Sequence, residues 1–435
     1  MHKHVDGMVT VPHTTGMDAI VAGHLCLDLT PGLGEHSAVA AVDGLLRPGS
    51  LVDTHGLTVS PGGAVANTGL SLARMGVSAG LVARVGTDPL ADMLRGALRD
   101  SGGPDTVIEL VADTGISTSF TVVLAIPGVD RIFLHDSGAN DSFSVEDLRR
   151  ALEGFARTVP EAPATAGPRV FHFGYPTAMA SMYRTGAEPL ALVLEEARRR
   201  GMTVSLDFSL PDPAGEAASA PWRAILSRAM PLVDICFPSV EELSLMLDRP
   251  GFLQREARHA GAEAFSPDYG YQLAGELLQM GAGVVVVKLG ARGVLVRWDP
   301  TNAERLRDTG AIELGKRLPE ASAEGAPPDA LVVPGYPAAQ VVSTTGAGDS
   351  SIAGVLAALL EGASLSAACE VGCLAGRNAV MRVDAVSGAR SLRDMESERL
   401  EGASRRAAVE FERPAEWHRR EDSLFYHRIP VDSYR

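Results

Sequence analysis

A glycine-rich turn near residue 346 combines an anion-binding backbone with a candidate proton acceptor. The segment Ser343-Thr344-Thr345-Gly346-Ala347-Gly348-Asp349 precedes a smooth apolar run through Leu360, which predicts a helix. The first N–H groups of a helix have no intrahelical partner, and the helix dipole favours negative charge at the same end. An aspartate in this position suits a base that removes a proton from a hydroxyl beside a bound phosphate. The same pattern is also compatible with a loop in which Asp349 merely caps the helix.

A second glycine-rich segment, Pro61-Gly62-Gly63-Ala64-Val65-Ala66-Asn67, leads into another predicted helix. Paired glycines allow the backbone to approach a small ligand closely. Asn67 offers both a hydrogen-bond donor and an acceptor, which suits a polyhydroxylated molecule. The alternative interpretation is a tightly packed helix N-terminus without a ligand.

The elements that position these segments are short apolar runs that alternate with helix-like stretches. The runs cover residues 19–25, 79–85, 121–126, 170–173, 203–208, 232–237 and 284–289. Strands that are buried on both faces have this continuous apolar character, and the intervening helices cover the faces. The sequence therefore predicts an α/β fold with a largely parallel sheet.

Composition and charge exclude several classes of protein. The 435 residues are 46% hydrophobic and 21% charged, which is typical of a globular chain. The 39 basic and 54 acidic residues give a net charge of −15, which argues against a nucleic-acid partner. No apolar run is long enough to cross a membrane, and 4 cysteines are too few for a disulfide framework. We expect a cytoplasmic protein that binds neither nucleic acid nor membrane.

The two glycine-rich segments together resemble the signatures of the PfkB carbohydrate kinases, also called the ribokinase-like superfamily. The stretch GGAVANTGLSLARMGVSAGLVARVGTD resembles the N-terminal signature, and STTGAGDSSIAGVLAALLEG resembles the C-terminal one. Residues 135–140, 238–242 and 287–293 add further similarity in the same order. The resemblance implies a ribokinase-like three-layer α/β/α sandwich with a mostly parallel central sheet and a small β lid. It also implies an ATP-dependent kinase that phosphorylates a hydroxyl of a small sugar or sugar-like molecule.

The resemblance assigns roles to individual residues. Asp349 corresponds to the catalytic base, and Gly346, Ala347 and Gly348 correspond to the anion hole. The residues implied to bind the acceptor are Asp28, Gly62, Gly63, Asn67 and Asn140. The residues implied to bind the nucleotide are Lys288, Gly290, Gly293 and Thr345. Glu242 corresponds to an acidic residue that positions Mg²⁺ through water.

Two departures from the family pattern affect the cations. Ser239 replaces the asparagine of the N-x-x-E element, although Glu242 is retained. Ser343 replaces the aspartate that usually opens the C-terminal signature and helps to hold a monovalent cation, so activation by K⁺ is doubtful.

Two other functions stay open. One is a nucleoside kinase of the same family, because no pocket residue distinguishes a sugar from a nucleoside. The other is a catalytically silent binding protein that acts as a regulator. Retention of Asp349 beside the Gly-Ala-Gly turn argues against a catalytically silent protein.

The chain divides into an N-terminal extension (1–17), a kinase core (18–396) and a C-terminal tail (397–435). Within the core, the lid is expected from 29–59 and 115–135, and two polar stretches, 249–267 and 299–334, read as surface insertions. Exposed lid edges favour a homodimer. The tail carries Trp417, Phe425 and Tyr426, so we expect it to dock on its own body, outside the catalytic pocket, or on a partner subunit.

Overall fold

The computed structural model describes residues 16–33, 48–49, 51–103, 106–126, 131–158, 167–258, 261–299, 311–319, 329–402, 404, 409–419 and 425–428. The strands are β1 (Ala19–Gly23), β2 (Cys26–Pro31), β3 (Leu57–Gly62), β4 (Ala79–Val85), β5 (Thr106–Ala112), β6 (Phe120–Leu124), β7 (Ile132–Asp136), β8 (Val170–Gly174), β9 (Thr203–Asp207), β10 (Ile235–Cys236), β11 (Val284–Lys288), β12 (Gly293–Trp298), β13 (Ala330–Pro334), β14 (Trp417–Arg419) and β15 (Tyr426–Arg428). The helices are α1 (Gly63–Arg74), α2 (Pro89–Gly102), α3 (Val145–Thr158), α4 (Ala180–Tyr183), α5 (Glu188–Arg199), α6 (Trp222–Ala229), α7 (Val240–Leu247), α8 (Arg249–Glu256), α9 (Pro267–Gln279), α10 (Ala347–Leu360), α11 (Leu365–Val380) and α12 (Leu392–Leu400).

The larger sheet has the strand order β14-β15-β13-β12-β11-β10-β9-β8-β1-β4-β5 within the described residues. Every pairing from β11 through to β5 is parallel. The pairings from β11 to β14 are antiparallel. The parallel part is the sheet that the alternating apolar runs predicted.

Helices cover both faces of this sheet. Along β1, Ile20 and Ala22 pack into one core with residues of α3, α5 and α6, whereas Ala19 and Val21 pack into a second core with residues of α1, α10 and α11. Adjacent residues of a strand point to opposite faces, so the two cores lie on the two sides of the sheet. The predicted three-layer α/β/α sandwich is confirmed. Among the described helices, none has the length and apolarity that a bilayer span requires.

The smaller sheet has the order β3-β2-β6-β7. Half of β2 and half of β3 lie within the first predicted lid segment, because these strands extend beyond it at 26–28 and 60–62, whereas β6 and most of β7 lie within the second. Positions 34–47, 50 and 127–130 of these segments lie outside the described residues. The apolar run at 121–126 was predicted as a strand of the central sheet. Most of it instead forms β6, which belongs to the smaller sheet.

Both predicted insertions contain residues that belong to the core. In the first, Phe252 is 1% exposed and Phe265 is fully buried. The second insertion ends earlier than predicted, because Ala330–Pro334 forms β13 and pairs with β12. This five-residue apolar strand was not predicted, because the residues that precede it are mostly polar. Positions 259–260, 300–310 and 320–328 lie outside the described residues.

The C-terminal tail adds two strands to the larger sheet, with β15 pairing to β13 and β14 pairing to β15. Trp417 is 6% exposed, and its Nε1 donates a hydrogen bond to Asp268 at 3.0 Å. Its ring stacks on Phe411 with centroids 4.7 Å apart. The described part of the tail thus packs on the body of its own chain, and none of its residues lines the cavity described below.

Candidate active site

The candidate site is a cavity of about 1200 Å³ at the carboxyl ends of the parallel strands. This edge is where open α/β sheets bind their ligands, because loops from neighbouring strands diverge there. The predicted site residues that line the cavity are Asp28, Gly63, Asn67, Glu242, Lys288, Gly290, Gly293, Thr345, Gly346, Ala347, Gly348 and Asp349. The structure therefore brings together twelve of the predicted site residues, which come from both glycine-rich segments and from other parts of the chain.

The turn before α10 brings the backbone of a helix start to the cavity. Gly346 precedes the helix with φ +75°, and a Cβ at this position would lie 2.2 Å from the Cβ of Ala385. Only glycine therefore fits at this position. Since Gly346 has no side chain, it cannot accept hydrogen bonds from the first N–H groups of α10, as a capping residue would. The N–H of Ala347 donates to the carbonyl of Thr344 at 3.3 Å, while no side chain caps the start of α10.

Asp349 stands in the first turn of α10 and is 2% exposed. Its carboxylate accepts hydrogen bonds from Asn67 Nδ2 at 3.1 Å and from Thr68 Oγ1 at 3.3 Å. The hydroxyl of Tyr175 donates to the same carboxylate, at 2.7 and 2.9 Å from its two oxygens. Donors from α1 and from the loop after β8 thus fix the orientation of the carboxylate. This contact also places the two glycine-rich segments side by side.

Tyr175 was missed by the sequence analysis. It follows β8 directly and adopts φ +64°, a left-handed conformation that is uncommon for a residue with a side chain. Burial, and then the charge of Asp349, raises the pKa of Tyr175 well above its usual value, so the hydroxyl keeps its proton. The available signal was its position directly after a predicted parallel strand, where site residues collect.

Lys288 places a positive charge beside the glycine-rich turn that precedes α10. Its Nζ lies 2.5 Å from Asp207 Oδ1 and 4.0 Å from Glu242 Oε2. A Cβ at Gly348 would lie 3.6 Å from the same Nζ. Burial alone would lower the pKa of Lys288, but the two carboxylates outweigh that effect and raise it. The ammonium group is therefore permanently charged.

Glu242 has a structural role in addition to the one that the family resemblance implies. Its Oε2 accepts the Ser239 N–H at 2.6 Å, while Ser239 Oγ accepts the Glu242 N–H at 3.1 Å. This pair is a capping box at the start of α7, which a Ser-x-x-Glu pattern typically forms. Burial raises the pKa of Glu242, and burial together with the charge of Glu242 raises the pKa of Glu241 to about 7.

Asp28 lies on β2 and lines the same cavity as Glu242. Burial raises the pKa of its carboxyl group to about 6. A Cβ at Gly62 would lie 2.3 Å from Asp28 Oδ2, so that glycine leaves the space which the carboxylate occupies. Gly63 has φ +83°, and a Cβ there would lie 2.6 Å from His24 Nδ1. The glycine pair thus allows the backbone at positions 62 and 63 to lie close to the side chains of Asp28 and His24.

Two of the predicted acceptor residues do not line the cavity. Gly62 lies behind Asp28, as described above. Asn140 is fully buried, and its side chain bonds both ways to the backbone of Leu25, donating to the carbonyl at 2.9 Å and accepting from the N–H at 3.2 Å. Asn140 therefore holds the corner between β1 and β2, and its buried side chain is not part of the cavity lining.

An arginine beside the smaller sheet reaches the glycine-rich turn and was also missed. Arg131 Nη1 donates to Thr345 Oγ1 at 3.2 Å, and its Nη2 donates to the carbonyl of Val383 at 2.7 Å. The residue that precedes β7 therefore contacts the turn before α10 and the loop after α11.

The chain is similar in sequence to carbohydrate kinases. The model of the pfkB family carbohydrate kinases matches residues 32–305 and 329–391. Fructokinase-1 of Zea mays is 27% identical over 225 residues, which cover 49% of this chain and 59% of the relative, so the chain spans about three fifths of that protein.

Solved structures show the same fold at low identity. A ribokinase of Arabidopsis thaliana, determined with ribose and ATP, superposes with a TM-score of 0.59 at 17% identity, over 88% of this chain and 98% of its own. A nucleoside kinase of Methanocaldococcus jannaschii gives a TM-score of 0.56 at 17% identity, over 89% of this chain and 99% of its own. With the family model matching most of its length, this chain belongs to the pfkB family of carbohydrate kinases.

Proposed function

We propose that the protein transfers the γ-phosphoryl group of ATP to a hydroxyl of a small sugar or sugar-like molecule. The observation that carries the proposal is the start of α10, where an uncapped glycine turn, the carboxylate of Asp349 and the ammonium of Lys288 share one cavity. Phosphoryl transfer needs an anion-stabilising backbone, a positive charge and a base for the attacking hydroxyl. The glycine turn and Asp349 belong to the start of α10, but Lys288 comes from β11, which a simple helix cap would not require.

Asp349 is the proposed general base. Its carboxylate accepts the proton of the acceptor hydroxyl as the oxygen attacks phosphorus, and the bond from phosphorus to the leaving ADP oxygen breaks. Asn67, Thr68 and Tyr175 hold the carboxylate through the hydrogen bonds described above. The first N–H groups of α10 and Lys288 stabilise the negative charge on the transferred group.

Glu242 is the proposed link to magnesium. One oxygen of its carboxylate caps α7, and the residue lines the cavity on the same side as Lys288, so a hydrated hard cation fits the oxygen donors at this end. When bound, Mg²⁺ neutralises the phosphate oxygens of the nucleotide. Gly290, Gly293 and Thr345 are the proposed neighbours of the nucleotide, supported by their positions in the cavity lining.

The acceptor end of the cavity favours a polyhydroxylated substrate. Asp28, with Asn67 and the backbone of Gly63, offers carboxylate, amide and close backbone approach. A sugar presents hydroxyl groups to all of these, which supports a sugar over an apolar acceptor. A nucleoside shares the same ribose hydroxyls and stays the main alternative.

The test is release of ADP from ATP in the presence of a panel of sugars, sugar acids, inositols and nucleosides, with wild-type protein and Asp349→Asn. We expect turnover with at least one sugar, and a fall of roughly 10²–10⁴-fold in the variant, the usual scale for a positioned base. The matched control is Asp212→Asn, an exposed carboxylate of the same cavity, which should retain turnover. Equal turnover in wild type and Asp349→Asn would contradict the assigned base.

We also propose a homodimer that forms through the smaller sheet. Its two outer strands expose apolar side chains outside the cavity, namely Leu57 (57% exposed) on β3 and Leu134 (54%) on β7. Exposed apolar edges favour coverage by a second copy. Light scattering of the wild type and of Leu134→Glu gives the test, with a dimer expected for the first and a monomer for the second.

A further inference from the structure

Three side chains with metal-binding atoms meet at one wall of the cavity, and the proposed kinase reaction assigns none of them a role. His24 follows β1, Cys26 begins β2 and His135 lies on β7. The nitrogen and sulfur atoms of these residues all lie within 4.8 Å of one another. All three residues line the cavity.

The spacing of these atoms matches a tetrahedral metal site. His24 Nε2 and His135 Nε2 are 3.2 Å apart. Two nitrogens bound to one zinc ion at about 2.0–2.1 Å, at the tetrahedral angle, lie about 3.3–3.4 Å apart. A zinc ion bound to a thiolate at about 2.3 Å would place sulfur about 3.6 Å from each nitrogen. The two nitrogens are therefore within a few tenths of an ångström of the separation that zinc requires, and the sulfur lies within 4.8 Å of both histidines.

The supporting structure holds the ligands in place. His135 pairs with Thr121 across β6 and β7, and Thr121 Oγ1 lies 3.0 Å from His135 Nδ1. This contact leaves Nε2 of His135 to face His24, and metal-bound histidines commonly use their second nitrogen in this way. Cys26 and His24 are 2% and 4% exposed, so two of the ligands are sheltered from bulk solvent.

The donor set determines the class of cation. Thiolate and imidazole ligands favour Zn²⁺ and similar borderline-soft ions, whereas Mg²⁺ prefers oxygen ligands. We propose that His24, Cys26 and His135 form a binding site for Zn²⁺, with the fourth position open to the cavity. Binding displaces the proton of the Cys26 thiol, which donates to Asp28 Oδ1 at 3.4 Å in the metal-free protein. The site is thus distinct from the proposed magnesium position at Glu242.

Cobalt serves as a spectroscopic substitute for zinc. The full-length protein, stripped with a chelator, is titrated with Co²⁺ while absorption is recorded in the near ultraviolet and the visible. We expect a sulfur-to-cobalt charge-transfer band and intense tetrahedral bands at one equivalent, both removed by added Zn²⁺. These spectra do not depend on turnover, so they separate this proposal from that of the kinase reaction.

Variants identify the ligands. Cys26→Ser should lose the charge-transfer band, and His135→Ala should weaken Co²⁺ and Zn²⁺ binding at least tenfold. Matched controls are Cys373→Ser, another buried thiol, and His418→Ala, an exposed histidine of β14, and both should bind as the wild type does. Thr121→Val should lower Zn²⁺ affinity by roughly 10–100-fold, the usual effect of removing a supporting contact. Absence of the band from the wild type, or its persistence in folded Cys26→Ser, would overturn the site.

Discussion

Asp28 gives the sharpest prediction, because its pKa lies inside the experimentally accessible range. Burial raises the pKa of this carboxyl group from 3.8 to about 6. About a tenth of the molecules carry an ionised Asp28 at pH 5, and about nine tenths do at pH 7. Only the ionised form accepts hydrogen bonds from two acceptor hydroxyls through both oxygens. At saturating ATP, kcat/KM for the acceptor should therefore rise about tenfold between pH 5 and pH 7.

Other titrating groups near Asp28 do not produce this rise. Burial lowers the pKa of His24 to about 3, and burial also lowers the pKa of His135. The ring of His24 therefore stays neutral over this range, and burial favours the neutral form of His135. Glu241 has a pKa of about 7, but it lies beside Glu242 on α7 and not beside Asp28 on β2.

The decisive variant is Asp28→Asn, with Asp212→Asn as the control. Asp28→Asn should have a lower kcat/KM at pH 7 and lose the rise between pH 5 and pH 7, whereas the control should keep the wild-type profile. Rates come from ADP release at subsaturating acceptor. A flat wild-type profile, or an unchanged rise in Asp28→Asn, would refute the role of the carboxylate.

The stability of the fold gives a second readout with a defined sign. In the unfolded chain Asp28 ionises near pH 3.8, but in the folded protein it ionises near pH 6. Ionisation is therefore harder in the folded state, and this residue makes folding less favourable as pH rises from about 4 to 6 and above. Asp28→Asn removes that cost, so its Tm should exceed that of the wild type at pH 7 and not at pH 4. Differential scanning calorimetry at the two pH values measures this.

Three further predictions concern magnesium, potassium and the tail. Glu242→Gln keeps a capping oxygen for Ser239 but removes the charge, so the Mg²⁺ concentration for half-maximal rate should rise while Tm stays near that of the wild type. An unchanged Mg²⁺ titration would make Glu242 purely structural. Because Ser343 replaces an expected aspartate, replacing Na⁺ by K⁺ should change the rate little, and strong stimulation by K⁺ would contradict this. Deletion from Ala415 onward removes buried Trp417 and should lower Tm with an unchanged affinity for ATP, since the described tail lies outside the cavity. A retained Tm with lost acceptor affinity would assign the tail to the site.

The sequence predicted the parts of the fold and site that depend on local patterns. Apolar runs located the central parallel strands, and β4 has the predicted bounds. The glycine signatures identified Asn67 and Asp349, which meet although they are 282 positions apart. Backbone chemistry at a glycine turn is a local property, so it can be read from a short segment.

Other features depend on tertiary contacts and could not be predicted in this way. The left-handed conformation of Tyr175 is imposed by its surroundings and leaves no mark in the local sequence. The family resemblance assigned Asn140 to the binding of the acceptor substrate. Only the tertiary structure shows that its amide is hydrogen-bonded to the backbone of Leu25 instead. Strand β13 is short and follows a polar stretch, so its pairing with β12 and β15 determines its structure.

The two C-terminal strands also affect how the chain avoids aggregation. All five residues of β13 are buried, and its outer edge is covered by β15. Without β15, this edge would present unpaired N–H and C=O groups on an apolar strand, to which another chain could add. Strand β14, the new edge, is three residues long and exposes His418 and Arg419, which discourages such addition. During folding, therefore, the larger sheet is open to intermolecular pairing until the last described residues of the chain have docked.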